Sequence, residues 1–361
     1  MLLDPSGGGA AEVAWQALCE AATDPNPFFG PGFLRPFLEH MGQSAVRLLV
    51  VRDETGRWLA AAPVGRRRLG LAVRTGTVWT TDYSPLGTPL VHPDAGDDVL
   101  HVFLQTGAGD GVFAVPYLPL HSKTGTRLIA AAGADGEIVT RSVRASHGAG
   151  AKGAAQLAAA DSGKRRKEMR RLLRRLGDQG KVLLSSHEGE AAVQAFEAFL
   201  HLEAAGWKGR SGTALLSLPE TAGFARAAVA NRARTGGLRI DELWAGDTLV
   251  AALVLFCEGG SIFSWKIAFD EDYARFSPGA QLALQALRAN LASPGFKGAD
   301  SLAIPGHAMI EPLWRGRLET GTLLFAPGSL GGLKRRLCAA DVRVNRSLRG
   351  AARALRQRLS P

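Results

Sequence analysis

The chain has 361 residues, 46% apolar, 21% charged and 7% aromatic, a balance that supports two ordinary folded domains and excludes a disordered polymer. No uncharged apolar run approaches the ~18 to 20 residues that span a bilayer, and the opening MLLDPSGGGA lacks the basic and apolar segments of a secretion signal, so the expected compartment is the cytoplasm. Cys19, Cys257 and Cys338 are scattered without metal-ligand spacing or a close partner, which argues against a disulfide framework and against a bound metal. No CxxC, HExxH, GxSxG or Walker A pattern is present.

The net charge of +10 is unevenly held. Lys164 to Lys181 carries nine basic and two acidic residues, and Gly331 to Pro361 carries nine basic and one acidic, so these blocks hold +7 and +8 and the remainder is mildly acidic. Such a distribution argues against a generally nucleic-acid-coating protein and for two local basic helices, 164–175 and 333–358, able to meet anionic lipid, RNA or an acidic partner.

In chain order, Val46 to Arg52, the turn Asp53-Glu54-Thr55-Gly56 and Trp58 to Val64 read as a β-hairpin. Ala72 to Thr80, Val112 to Leu118 and Ile138 to Val143 read as strands, and Asp97 to Gln105 as a short helix. The small-residue stretch from Ser146 to Ala155 makes a stable element costly and predicts a domain boundary or mobile connection near residue 150. A basic helix with Met169, Leu172, Leu173 and Leu176 at helical spacing ends at Gly177. Then follow a strand (Val182 to Ser185), a helix (Glu190 to Ala205), a glycine-spaced loop (Trp207 to Gly212) and a helix (Glu220 to Arg234). Leu238 to Trp244, Leu249 to Cys257 and Ser261 to Phe269 form an antiparallel meander. Ser277 is the expected N-cap of a helix with Pro278 at its first position, running to about Leu291. Its first-turn amides and dipole suit a phosphate, and Gly279 and Ala280 permit close approach. Ser301 to Ile304 is the last expected strand, leading to a loop with His307 and Glu311 and then Trp314.

Three stretches sharpen this order of elements: Glu203-Ala-Ala-Gly-Trp207-Lys208-Gly; Ser264-Trp265-Lys266-Ile-Ala-Phe-Asp270 with Tyr273-Ala-Arg-Phe-Ser277-Pro278-Gly279; and Asp300-Ser-Leu-Ala-Ile-Pro-Gly306. They resemble the signature stretches of the CelD/BcsL-type acetyltransferases, a branch of the GNAT superfamily associated with cellulose and exopolysaccharide biosynthesis and related in fold to the FemABX aminoacyl-tRNA-dependent transferases. The resemblance covers roughly residues 160 to 327. It implies an α/β (α+β) fold of tandem GNAT-like domains, with an N-terminal half over 1–150, an acyltransferase domain over 151–330 and a basic amphipathic helical tail over 331–361.

The resemblance also implies direct transfer of an acyl group from acetyl-CoA or another acyl-CoA to an amine or hydroxyl of a small or saccharide acceptor. Ser277, Gly279, Ala280 and Gln281 would wrap the pyrophosphate, and the strand Trp265, Lys266, Ile267 and Ala268 would pair with pantetheine and polarise the thioester. Glu203, His307 and Glu311 are the candidate general bases, and Tyr273 the candidate acid for the departing thiolate. Trp207 and Lys208 are candidate acceptor contacts, and Trp207 and Trp265 could line a sugar or pantetheine channel. One departure is plain. Where the family has a Tyr-Lys or Phe-Lys pair after the last strand, this chain has His307-Ala-Met-Ile-Glu311-Pro-Leu-Trp314. Two further readings therefore stand beside the first: a FemABX-like transferase using charged tRNA, and a catalytically degenerate membrane-surface adaptor whose tail presents Leu333, Leu337, Val342, Leu348, Leu355 and Leu359 among arginines.

Overall fold

The computed structural model describes residues 1–359, with side chains through Leu348. In chain order the first half contains β1 (Leu2–Leu3), α1 (Ala10–Ala21), α2 (Pro31–His40), β2 (Arg47–Arg52), β3 (Trp58–Arg68), β4 (Arg74–Val78), β5 (Leu90–Val91), α3 (Asp97–Ala108), β6 (Phe113–Pro119), α4 (Lys123–Ala132) and β7 (Gly136–Gly148). The second contains α5 (Gly150–Ala160), α6 (Gly163–Gly177), β8 (Val182–Glu188), α7 (Gly189–Ala205), α8 (Trp207–Arg210), α9 (Pro219–Arg234), β9 (Leu238–Ala245), β10 (Thr248–Glu258), β11 (Ser261–Phe269), α10 (Pro278–Ala292), β12 (Gly298–Asp300), β13 (Gly316–Phe325) and α11 (Gly331–Leu359).

Two compact units divide the chain. Unit 1 is Met1–Pro31, Ala45–Ser142 and the chain from Glu319 onward; unit 2 is Gly32–Ser44 and Val143–Leu318. The chain thus changes units inside β7, α2 belongs with unit 2, and α11 with unit 1. Phe33 and Phe37 place α2 in unit 2, since both meet the Phe224 ring edge-on at 5.2 Å.

One plan recurs in both units. In unit 1 the antiparallel meander β2–β3–β4 precedes α3, and β6 then pairs parallel to β4 through Gly76 with Phe113 and Thr77 with Ala114. In unit 2 the meander β9–β10–β11 precedes α10, and β12 pairs parallel to β11 through Ser261 with Gly298, Ile262 with Ala299 and Phe263 with Asp300. The fold is mixed α/β with mostly antiparallel pairing and flanking helices, as the sequence led us to expect. The unit 2 core gathers Leu243, Val250, Leu253 and Leu255 from the meander under Leu282, Ala283, Ala286 and Leu287 of α10, a side-chain set whose burial is the main stabilising contribution.

Three expectations are corrected. The small-residue stretch after Ser146 is ordered as the end of β7 and as α5, not as a loose connection. Glycine is required there by packing: a Cβ on Gly153 would lie 2.5 Å from Leu291 Cδ2 and against the Gly148 carbonyl. The expected strand Ser301 to Ile304 is instead β12 at Gly298–Asp300. The Asp300 carboxylate accepts the Leu302 N–H at 2.9 Å, Leu302 has a left-handed φ of 52°, and this local turn ends the strand. The loop Trp207 to Gly212 contains the single-turn helix α8. Helices α1, α2 and α4 and strand β13 were not read from the sequence at all.

A buried polar chain fixes α10 under the sheet. His147 Nδ1 donates to the Gly148 carbonyl at 3.2 Å, Asn290 Nδ2 donates to His147 Nε2 at 2.9 Å, and Arg239 donates to Asn290 Oδ1 at 2.7 Å and to Asp241 at 2.9 Å. Ser186 closes the series on Asp241 at 2.7 Å. Burial, reinforced by the Arg239 cation, depresses the His147 pKa to about 4. Between the unfolded value near 6.5 and that value, the unfolded chain binds a proton the folded chain refuses, so stability is complete above about pH 6.5 and falls toward pH 4 by about 3 kcal/mol. Chemical denaturation across that window should show the loss, and His147→Gln should remove most of the slope; an unchanged slope would contradict this assignment.

Candidate active site

Strand β11 is the scaffold of the site. A register shift between Val254 and Leu255 leaves Trp265 as a β-bulge, a device that re-aims a strand. Because β12 ends at Asp300, β11 runs on from Ser264 to Phe269 beyond their three paired residues. Asp300 is itself buried against Arg144. The Trp265 indole is buried, stacked on Phe256 at 4.8 Å and met edge-on by Phe33 and Phe224. It is a core side chain, which corrects the expectation that it lines a channel. Lys266 Nζ lies 5.9 Å from that ring, Ile267 is half-buried and Ala268 is buried. Lys266 and Ala268 pair with Val254 and Ala252 of β10 in the register that bonds the Asp270 N–H to the Val250 carbonyl, so within this run it is the Ile267 backbone that faces away from β10.

The opening of α10 differs from a simple cap. Ser277 occupies the cap position in the left-handed region, φ 52° and ψ 50°, and its hydroxyl makes no capping bond; the expected side-chain cap is absent because this backbone turns Ser277 away from the β-region geometry that capping needs. The helical ladder begins with Gln281 N–H on the Ser277 carbonyl at 3.0 Å, so the amides of Gly279 and Ala280 stand ahead of it. Gly279 is also a packing requirement, since a Cβ there would lie 2.5 Å from Met309 Sδ and 3.5 Å from Phe269 Cδ1. Gln281 is corrected as an anion ligand: its side chain is buried and Nε2 donates to the Met169 carbonyl of α6 at 2.8 Å.

Glu203 and Lys208 form the charged centre. Glu203, 3% exposed, sits in the last turn of α7. Its Oε1 accepts Lys208 Nζ at 2.7 Å and its Oε2 accepts the Leu215 N–H at 2.8 Å. Lys208 Nζ also donates to the Ile267 carbonyl of β11 at 3.3 Å. Both carboxylate oxygens are thus engaged, which corrects Glu203 from a free general base to a residue that positions Lys208. Removing Lys208 would leave the buried Glu203 carboxylate without its cation, a change that costs about 3 to 5 kcal/mol. The adjacent α8 is held from outside, where Glu271 accepts the Trp207 N–H at 2.7 Å and pairs with Arg210 at 2.5 Å. The Trp207 indole is exposed.

The segment after β12 brings His307 to the same place. Trp314 is fully buried, donates Nε1–H to the Ala283 carbonyl of α10 at 3.1 Å, and meets the His147 ring edge-on at 4.7 Å. With buried Ile310 and Leu313 it pins the loop to α10. The half-buried His307 has its Nδ1 enclosed without a hydrogen-bond partner. Burial lowers its pKa below the usual value, the Lys208 charge lowers it further and Glu311 opposes them. A hydrogen bond to its own backbone also opposes the lowering, and the net direction favours the neutral ring. Glu311 lies 3.9 Å from Arg317. Tyr273 is half-buried on the core of unit 2, its ring 6.2 Å from Phe276. The missed signal was Trp314: a large apolar residue closing a polar loop marks an anchored segment.

Comparisons with known proteins agree with this architecture. Residues 163–305 match the family model of an acetyltransferase (GNAT) domain. The chain is similar in structure to FemX, with a TM-score of 0.56, 8% identity and coverage of 89% of this chain and 97% of that one. It is similar to the C-terminal domain of a candidate lysylphosphatidylglycerol synthetase from Agrobacterium fabrum, with a TM-score of 0.54, 11% identity and coverage of 92% and 96%. A protein of unknown function from Bacteroides thetaiotaomicron gives a TM-score of 0.56, 14% identity and coverage of 90% and 99%. At these identities the likeness establishes the fold alone. A search of curated protein sequences finds no match. The fold is GNAT-like, and the segment resembling the acetyltransferase domain is the one that holds Glu203, Lys208, β11 and α10.

Electrostatic coupling of His307 to Lys208 has a direct readout. In an NMR titration of the His307 ring, Lys208→Met should raise its pKa toward the unperturbed 6.5, because the neighbouring cation is lost. An unchanged or lower value would contradict the arrangement.

Proposed function

We propose that the protein is an acyltransferase that moves an acyl group from a coenzyme A thioester directly to an amine or hydroxyl of a small or polysaccharide-precursor acceptor. One observation carries the reading: Met309, two residues beyond His307, packs on Gly279 at the first turn of α10 beside Phe269 of β11, which supports a single site formed by these three segments. The match of residues 163–305 to the GNAT domain model supports the same reaction class. In this reading the diphosphate of the cosubstrate rests on the Gly279 and Ala280 amides and the positive helix end. Pantetheine lies along the open side of β11, with the Ile267 N–H, which faces away from β10, as a backbone partner.

The chemistry then follows from proton placement. The acceptor nitrogen or oxygen attacks the thioester carbonyl while His307 takes its proton, and the C–S bond breaks as the tetrahedral intermediate collapses. The thiolate is protonated on leaving, by Tyr273 or by solvent. Lys208, fixed by Glu203 and the Ile267 carbonyl, supplies a positive charge beside the developing negative one. Glu311 faces the imidazolium that forms at His307. The three motif stretches resembling CelD/BcsL-type acetyltransferases support a saccharide-precursor acceptor in exopolysaccharide synthesis.

A second reading is favoured by α6. All eight of its basic side chains from Lys164 to Arg175 are exposed, and the helix is tied to the site by the Gln281 bond to Met169 and by Arg165, which donates to the Pro312 carbonyl at 2.7 Å. A charged tRNA, as in FemABX-type transfer, would find a phosphate-binding face there. Calorimetric titration with coenzyme A separates the two. Binding should persist as salt rises and should weaken at least about tenfold in Ala280→Asp, whose carboxylate suits the helix start but repels a diphosphate. Failure to bind coenzyme A, with tRNA binding that falls steeply with salt, would replace the first reading by the second.

A further inference from the structure

We propose that α11, together with the β3–β4 turn, is an interfacial surface that docks unit 1 onto an anionic lipid bilayer. This rests on unit 1 alone and is independent of the reaction assigned to unit 2.

The helix is apolar on two sides. Cys338, Ala339 and Val342 face inward, buried with Val112, Ala114, Val139, Leu324 and Ala326; for Val342 this corrects the expectation that it belongs to an outward anchor. Leu333, Leu337, Val344 and Leu348, spaced by four, seven and four residues, form a second stripe that points outward, 58%, 58%, 51% and 55% exposed. Leu355 and Leu359, also expected in the anchor, lie outside the described side chains. A packed helix has no need of an outer row of leucines, and an exposed contiguous apolar stripe marks a site of interaction.

Charge decides the occupant. Asp341 is the one acidic residue from Gly331 to Pro361, and its carboxylate is spent within unit 1. It accepts the N–H groups of Leu71, Ala72 and Val73 at 2.9, 3.1 and 2.9 Å, with Gly70 allowing the close approach. That clasp sets the β3–β4 turn beside the stripe and adds exposed Leu71, with exposed Arg68 and Arg74 on the strand ends leading into it. Arg336 is exposed on the flank of the stripe. The resulting surface is leucine bordered by arginine, with the Asp341 carboxylate hydrogen-bonded into the β3–β4 turn. A second copy packed face to face would oppose arginine to arginine. RNA would use the arginines and leave the leucines in water. An anionic bilayer takes both, the leucines at the acyl boundary and the guanidinium groups at headgroup phosphates.

Co-sedimentation of the full chain with phosphatidylcholine vesicles, with and without about one-third phosphatidylglycerol, tests this, at salt of about 0.1 and 0.5 M. Binding is expected to the anionic vesicles only and should weaken at the higher salt. A variant with Leu333→Ser, Leu337→Ser, Val344→Ser and Leu348→Ser should bind at least about tenfold more weakly. Arg68→Gln, Arg74→Gln and Arg336→Gln should each cost about fivefold. Because these side chains are exposed, the melting temperature should stay near that of the parent, and coenzyme A binding, where present, should be unaffected. No binding to anionic vesicles, equal binding to neutral ones, or binding indifferent to both variant sets would overturn the proposal. So would a dimer in sedimentation analysis that the serine variant dissolves, or RNA binding without vesicle binding.

Discussion

Asp300 ends β12, and most of the candidate site follows from that. Its carboxylate accepts the Leu302 N–H and pairs with Arg144, so the chain turns away after three residues of parallel pairing with β11. Left without that neighbour, β11 continues past its bulge at Trp265 and needs other partners for its polar backbone. Lys208 supplies one, at the Ile267 carbonyl, where the buried Glu203 carboxylate holds its ammonium. The departing chain then returns over the start of α10, where Met309 packs on Gly279 and Trp314 pins the loop. A single short carboxylate thus determines where the strand opens, where a cation sits and where His307 arrives.

The elements that were legible in the sequence share a cause. The meander from Leu238 to Phe269 and helices α7, α9 and α10 have strong apolar periodicity between glycine turns, and each solves its own burial locally. Those not legible depend on distant partners. Helix α2 is a short segment whose Phe33 and Phe37 find Phe224 nearly two hundred residues away. Strand β13 has its apolar residues paired with β6 across a comparable separation. Helix α5 is built on alanine, the strongest helix former, interrupted by glycine, and Gly153 is kept there because it permits a close contact with the Gly148 carbonyl and Leu291 that a larger residue would block.

The site was legible as a set of residues and not as a set of roles. The resemblance brought Glu203, Lys208, His307 and Glu311 forward, and Lys208, held by Glu203, reaches the Ile267 carbonyl of β11. What a resemblance in sequence cannot tell is which side chain spends its valence internally. Glu203 gives both oxygens to Lys208 and Leu215, and Gln281 gives its amide to α6. His307 retains an enclosed, unpartnered nitrogen. The segment from Ser301 to Phe325 has no lysine, and the ammonium near β11 is contributed by Lys208 of α8.

Hydrogen exchange of the full chain with and without coenzyme A tests the central claim most directly, because it reads the backbone groups themselves. Coenzyme A bound in this site predicts slowed exchange at the Gly279, Ala280 and Ile267 amides, with unit 1 unchanged. Protection absent from those amides while appearing in unit 1 or along α6 alone would contradict it.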